Sequence, residues 1–203
     1  RSALLSKLKN PRFAYIAPTF KQAKSIAWDY MKQFTAKIPH TKFNETELRV
    51  DLPNGSRITL LGSESPDGLR GIYLDGCVID EYANVNSKLF PEIIRPALSD
   101  RKGYCVFIGT PMGMNNNFYE LYQHAQGAED WFNYKAKASD TKIVDEDELV
   151  KAKEVMGEKK YQQEFECDWI ANIEGAVYGD IIAKLDDDKQ LTRVPYDPAL
   201  PVS

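Results

Sequence analysis

The segment Cys77-Val78-Ile79-Asp80-Glu81 is an apolar run that stops at two adjacent acids. If the run is a buried strand, its carboxyl end is rigid and presents both carboxylates at a fixed place. Asp80 can then hold Mg²⁺ through water, and Glu81 can polarise a water for attack on a γ-phosphate, the Walker B arrangement of ATP-hydrolysing motors. A strand that ends in solvent looks the same in isolation, so the neighbouring elements have to decide between the two readings.

Those elements alternate. Residues 12–17 (RFAYIA) read as a strand broken by Pro18, with Thr19 as the N-cap of a helix over 20–34. Ala23, Ile26, Ala27, Tyr30, Met31 and Phe34 make an apolar stripe that predicts the packed face of that helix. Lys21, Lys24, Trp28 and Lys32 lie opposite, as a basic face able to meet a DNA backbone or simply to stay solvated. Asn54-Gly55 between two alternating runs over 48–61 is a hairpin signal. A Gly-rich loop over 62–71 leads to the strand over 72–79, and residues 87–98 read as a helix. YCVFI over 104–108 reads as a second fully buried strand, ending at Gly109-Thr110-Pro111 and a Gly/Asn-rich loop. A helix over 118–126, a strand over 131–138 and two helices near 145–156 and 158–166 follow.

Strands that read as buried on both faces, with helices between them, predict an α/β fold: a mostly parallel sheet covered by helices. Ligands in such sheets sit at the carboxyl ends of strands, where Asp80, Glu81, Gly109 and Thr110 all fall.

Composition narrows the class. The chain has 203 residues, 43% hydrophobic and 28% charged, with apolar runs too short to cross a bilayer. Residues 1–10 lack the apolar core of a secretory signal. Cys77, Cys105 and Cys167 are widely spaced and odd in number, so they read as core residues of a reducing compartment. The net charge of −4 hides nine Lys and Arg against one acid in residues 1–42, and fifteen acids against seven bases in residues 140–190. Asp186-Asp187-Asp188 are consecutive, so they do not converge on one metal and read as a solvated stretch.

With these motifs in place, the chain resembles the large subunit of a tailed-phage terminase, a DNA-packaging motor. The resemblance is carried by YIAPTFKQAK over 15–24, LPNGSRI over 52–58, LRGIYLDGCVIDE over 69–81, FIGTPMG over 107–113 and FECDW over 165–169, in that order. It implies a P-loop NTPase core of the RecA type. Asp80 would hold the Mg²⁺ of Mg-ATP and Glu81 would be the catalytic carboxylate. Gly109, Thr110 and Pro111 would form the coupling motif that senses the γ-phosphate. Arg70 would be an arginine finger acting on a neighbouring subunit's ATP, or else a loop ion pair with Asp67. Residues 15–19 resemble a helicase motif that contacts nucleotide or DNA.

The resemblance also implies double-stranded viral DNA, a portal protein, a small terminase subunit and a homo-oligomeric ring as partners, in the cytoplasm of a bacterial host and without a membrane. No Gly-x-x-x-x-Gly-Lys-Ser/Thr occurs in the sequence. The expected organisation is therefore an ATPase core over 1–139 lacking its first strand and P-loop, an acidic helical subdomain and linker over 140–193 with Gly175–Gly179 in the linker, and the start of a linker to an absent nuclease domain over 194–203. These 203 residues alone would bind nucleotide poorly and hydrolyse no ATP. A helicase-like nucleic-acid-dependent ATPase and a non-catalytic prophage remnant or docking module are the alternatives.

Overall fold

The computed structural model describes residues 1–170 and Leu185; the 175–179 linker, the 186–188 acids and the 194–203 tail lie outside the described residues. Contacts divide the chain into two units. One comprises Arg1–Pro111 with Asn115–Lys135, and the other Met112–Met114 with Ala136–Ser203.

The first unit is a six-stranded sheet with helices. Its strands are β1 (Arg12–Ala17), β2 (Lys42–Asn44), β3 (Arg49–Asp51), β4 (Arg57–Gly62), β5 (Gly76–Ile79) and β6 (Tyr104–Phe107). The order is β2-β3-β4-β1-β5-β6. β4, β1, β5 and β6 run parallel, and β3 and β2 add an antiparallel edge. The hairpin expected at Asn54-Gly55 joins β3 to β4, with Gly55 at φ 83°.

Pleating sends alternate residues of β1 to opposite faces. Ala14 and Ile16 join one core with Leu74, Cys77, Ile79, Tyr82, Leu89, Ile94 and Leu98. Ala17 joins the other with Ala23, Trp28, Leu48, Val50 and Leu60, against which Phe13 and Tyr15 pack. Cys77 and Cys105 stand opposite each other across β5 and β6, as free thiols with sulfurs 3.4 Å apart.

Two sequence expectations are corrected here. The segment over 104–108 is not buried on both faces: Cys105 and Phe107 turn inward, whereas Tyr104, Val106 and Ile108 are exposed. Among the described residues β6 pairs on one side only, so its apolar outer edge has no neighbour. The strand expected over 131–138 does not form. That stretch is irregular, with Trp131 stacked on Phe107 and Phe132 and Tyr134 exposed.

The helix expected over 20–34 forms, but only half of its apolar stripe packs: Ala23, Ala27 and Met31 meet the core, and Ile26, Tyr30 and Phe34 do not. It runs as α-helix over Phe20–Ala23, a π turn over Lys24–Trp28 and α-helix over Asp29–Thr35. Thr19 caps it, its hydroxyl accepting the N–H of Gln22 at 3.1 Å. A π turn inserts one extra residue, so every later side chain is rotated by one position. Ala23, Trp28 and Thr35 are buried, whereas Ile26, Tyr30 and Phe34 face solvent.

In the second unit, Asp145 caps the helix Glu146–Met156, Gly157 at φ 78° turns the chain, and Glu158–Phe165 follows. No helix among the described residues is long and apolar enough to cross a membrane.

Candidate functional site

β1, β5 and β6 end side by side at one rim of the sheet. The ladder continues past β5: the Asp80 N–H donates to Ile16 O at 2.7 Å, Ile108 N–H to Ile79 O at 3.0 Å, and Tyr82 N–H to Ile108 O at 3.1 Å. These bonds seat Asp80 between the ends of β1 and β6 and force the chain to turn at once. Glu81 absorbs the turn in the left-handed region, at φ 49° and ψ 46°, and opens a 3₁₀ turn over Tyr82–Asn84. A non-glycine residue held there costs about 1–3 kcal/mol and persists only where its surroundings impose it.

Asp80 is held at both carboxylate oxygens. Oδ1 accepts the Glu81 N–H at 2.9 Å, and Oδ2 accepts the hydroxyl of Tyr15. Burial, then the bond to Asp80 and the charges of Asp80 and Glu81, push the Tyr15 phenol well above its usual range, so the hydroxyl stays protonated and donates. Both Asp80 and Glu81 are half-buried, between core and solvent.

Gly109 approaches from the end of β6. A Cβ built on it would lie 3.1 Å from Tyr82 N, 3.3 Å from Glu81 Cα and 3.4 Å from the Phe118 ring. Its φ of +155° also disfavours a side chain. The structure therefore brings together Asp80, Glu81 and Gly109, with half-buried Thr110 and buried Pro111 next in the chain. The two acids at this rim offer oxygen donors only. That chemistry fits Mg²⁺, which binds through one or two carboxylates and takes its remaining ligands from water and phosphates. Among the described residues no group of three or more Asp, Glu, Cys or His converges to hold a metal, here or elsewhere, so this chain offers at most two carboxylates to an ion at this rim.

Among the described residues no hydrogen bond or ion pair joins the other candidates to this cluster. Arg70 is exposed and paired within its own chain, Nε to Asp67 at 2.8 Å and Nη2 to Glu92 at 3.4 Å. Lys32 is bonded to Asp29 at 3.2 Å and Glu45 at 3.3 Å and lies over the Trp28 ring. Trp28, expected on the solvent face beside it, is 2% exposed. Lys21 and Lys24 are exposed and make no ion pair among the described residues.

Sequence reasoning placed Tyr15 in a motif and missed its contact. Tyr15 lies opposite Val78 in the β1–β5 register, hence on the pleat side that Asp80 shares two residues on. A tyrosine in a buried strand is a signal that some polar partner exists. Which partner depends on strand register, which a single sequence does not print.

Comparison with known proteins identifies the family and the fold. Two curated relatives, the terminase large subunits of Thermus phage G20c and Thermus virus P23-45, are each 30% identical over 126 residues. The alignments cover 53% of this chain and 26% of theirs, so the chain spans about a quarter of the length of the curated relatives it matches. Among solved structures, the ATPase domain of the Thermus phage P74-26 large terminase superposes with a TM-score of 0.68, covering 83% of this chain and 80% of that one at 22% identity. A large terminase from a thermophilic bacteriophage, solved in complex with ADP, gives 0.65, covering 80% of this chain and 42% of its own at 15% identity. At these identities the likeness is one of fold. The family described as "Terminase large subunit, T4likevirus-type, N-terminal" matches residues 2–182, a span that takes in the strand ends at Asp80 and Gly109 as well as the helices after them, and the chain belongs to that family.

Proposed function

We propose that this chain is part of the ATPase motor of a phage terminase large subunit, which couples ATP hydrolysis to translocation of double-stranded DNA into a procapsid. One observation carries the reading: two carboxylates follow β5 at the carboxyl rim, and the turn after β6 packs against the second of them at Gly109. The ADP and ATP-γ-S complexes of the thermophilic-bacteriophage large terminase support nucleotide as the ligand.

In this reading Asp80 would hold Mg²⁺, which when bound would neutralise charge developing on the phosphate oxygens. Glu81, fixed by its left-handed backbone, orients the attacking water and draws off its proton. Thr110 senses the γ-phosphate, and Gly109 and Pro111 transmit its loss to elements that grip DNA. Arg70 acts on the ATP of a neighbouring subunit in a homo-oligomeric ring; its exposed pairs with Asp67 and Glu92 are weak enough to be exchanged for a phosphate. Portal protein and small terminase subunit are the further partners, in the cytoplasm of the bacterial host. The domain reading is an ATPase core over 1–139, an acidic helical region and linker over 140–193, and the start of a further linker over 194–203. The first of these is supported by the six-stranded sheet that lies within it, and the open edge of β6 offers its N–H and C=O groups to one more parallel strand.

The direct test is phosphate release by the protein expressed from its complete coding sequence, with Mg²⁺ and with or without double-stranded DNA. DNA-stimulated turnover is expected, and a protein that hydrolyses no ATP under either condition sinks the proposal. Two local predictions accompany it. Gly109→Ala places a methyl group against Tyr82 N and Glu81 Cα, so it should cost about 1–3 kcal/mol of stability by urea unfolding. It should also lower turnover by about tenfold or more, since displacements below 1 Å matter at a reacting centre.

The basic face is narrower than the sequence indicated, because Lys32 is committed to Asp29 and Glu45. Lys21→Glu with Lys24→Glu should weaken binding of double-stranded DNA. The slope of log affinity against log salt should flatten by about 0.9 per lost phosphate contact. Fluorescence anisotropy at several salt concentrations measures both; an unchanged slope assigns those lysines to a solvated helix face.

A further inference from the structure

We infer that Tyr15 is a positioning residue for the metal-holding carboxylate: its hydroxyl, from the neighbouring strand, sets the orientation of Asp80 and through it that of Glu81. The inference rests on the reading of Asp80 and Glu81 given above and adds a residue to that machinery.

Asp80 is anchored at three points. Its N–H is tied to Ile16 O, Oδ1 accepts the Glu81 N–H, and Oδ2 accepts the Tyr15 hydroxyl. The two carboxylate bonds come from different directions, one from the next peptide and one from β1. Together they fix the plane of the carboxylate, which a single bond would leave free to swing. A carboxylate oxygen that accepts one hydrogen bond still has a lone pair to offer. Asp80 can therefore hold a hydrated metal ion while Tyr15 stays bonded to it.

Tyr15 itself is steadied by its place in the sheet. It is paired between β4 and β5, opposite Leu60 and Val78, and its ring packs on the core that holds Trp28. It presents a donor from a rigid element to a group at the strand end. The bond from Glu81 N–H to Asp80 Oδ1 links the plane of the Asp80 carboxylate to the left-handed peptide of Glu81. Loss of the Tyr15 hydroxyl thus loosens both acids.

A buried phenol that merely needed a partner would give a different signature from one that orients a ligand. Tyr15→Phe removes the oxygen and keeps the ring. In the protein expressed from its complete coding sequence, binding of Mn²⁺ in the presence of ADP is read by electron paramagnetic resonance, which needs no turnover. Tyr15→Phe should weaken Mn²⁺ by about tenfold, the low end of what partners of metal ligands supply. The Mg²⁺ concentration that half-saturates turnover should rise in step, while ADP binding without metal stays as in wild type. On an Asp80→Asn background Tyr15→Phe should add no further loss. If Tyr15→Phe binds Mn²⁺ as wild type does while Asp80→Asn binds it more weakly, the inference is overturned and the motor reading stands. If Asp80→Asn also leaves Mn²⁺ affinity unchanged, the motor reading fails and this inference fails with it. A Tyr15→Phe protein that lowers the urea midpoint with unaltered Mn²⁺ affinity makes Tyr15 a packing residue and overturns the inference.

Discussion

Glu81→Gln is expected to leave nucleotide binding within about twofold of wild type and to lower ATP turnover by about 10²–10⁴-fold, the range for loss of a positioned base. Glutamine has the size of glutamate and keeps an amide oxygen, so the left-handed turn at φ 49° and the backbone bond from Tyr82 N–H to Ile108 O have no reason to change. What is lost is the negative charge and the capacity to take a proton from water. A loss confined to kcat, with KM for Mg-ATP little altered, identifies an interaction made in the transition state. Phosphate release at saturating ATP and titration with a fluorescent nucleotide separate the two quantities. Turnover within a few-fold of wild type would leave Glu81 a turn residue and move the water-orienting role to another group at this rim. Asp80→Asn is the informative companion: it should show a raised metal requirement, because its place in the reading is to hold the ion rather than to move a proton.

The two acids were legible because they sit where the chain's periodicity changes. An apolar run followed by Asp-Glu marks the end of a strand whatever the neighbouring strands are, and Gly109-Thr110 marks another. The parallel order of those strands follows from their alternation with helices, and the hairpin from Asn54-Gly55. Tyr15 was not legible as a partner of Asp80, because opposing residues in two parallel strands are fixed by register. The exposure of Tyr104 and Val106 was not legible either. An uninterrupted apolar run implies two covered faces, and here the sheet has no neighbour beyond β6 among the described residues. Arg70 illustrates a third limit. Its pairing with Asp67 follows from spacing within one turn, but Glu92 reaches it from a distant helix.

Trp28→Ala should destabilise the fold by about 3–5 kcal/mol, the range for deleting a large aromatic side chain from a core. The helical stripe Ala23, Ile26, Ala27, Tyr30, Met31 and Phe34 would instead assign that cost to Tyr30 or Phe34. A regular α-helix through Ala23 would bury positions 27, 30 and 34. The π turn over Lys24–Trp28 advances the phase by one residue, and the structure buries Trp28 and Thr35. Trp28 is 2% exposed. Its indole N–H donates to Glu45 Oε2 at 2.6 Å, its ring meets Phe43 edge-on at 6.5 Å, and it packs with Leu48, Val50 and Leu60. Alanine leaves a cavity there, and the helix loses its largest anchor on the sheet. Tyr30 and Phe34 are 61% and 76% exposed and stack on each other, so Tyr30→Ala or Phe34→Ala should cost less than about 1 kcal/mol. Urea unfolding of the three variants against wild type decides the matter, provided the slope with denaturant is unchanged. A larger loss at Phe34 than at Trp28 would mean that the helix lies on the sheet in the phase of an uninterrupted α-helix, and the extra residue of the π turn would have no place in the native state. A large loss at Trp28 alone means that the extra residue selects which side chains hold this helix to β4. It also separates the core anchored by Trp28 from the exposed lysines at positions 21 and 24.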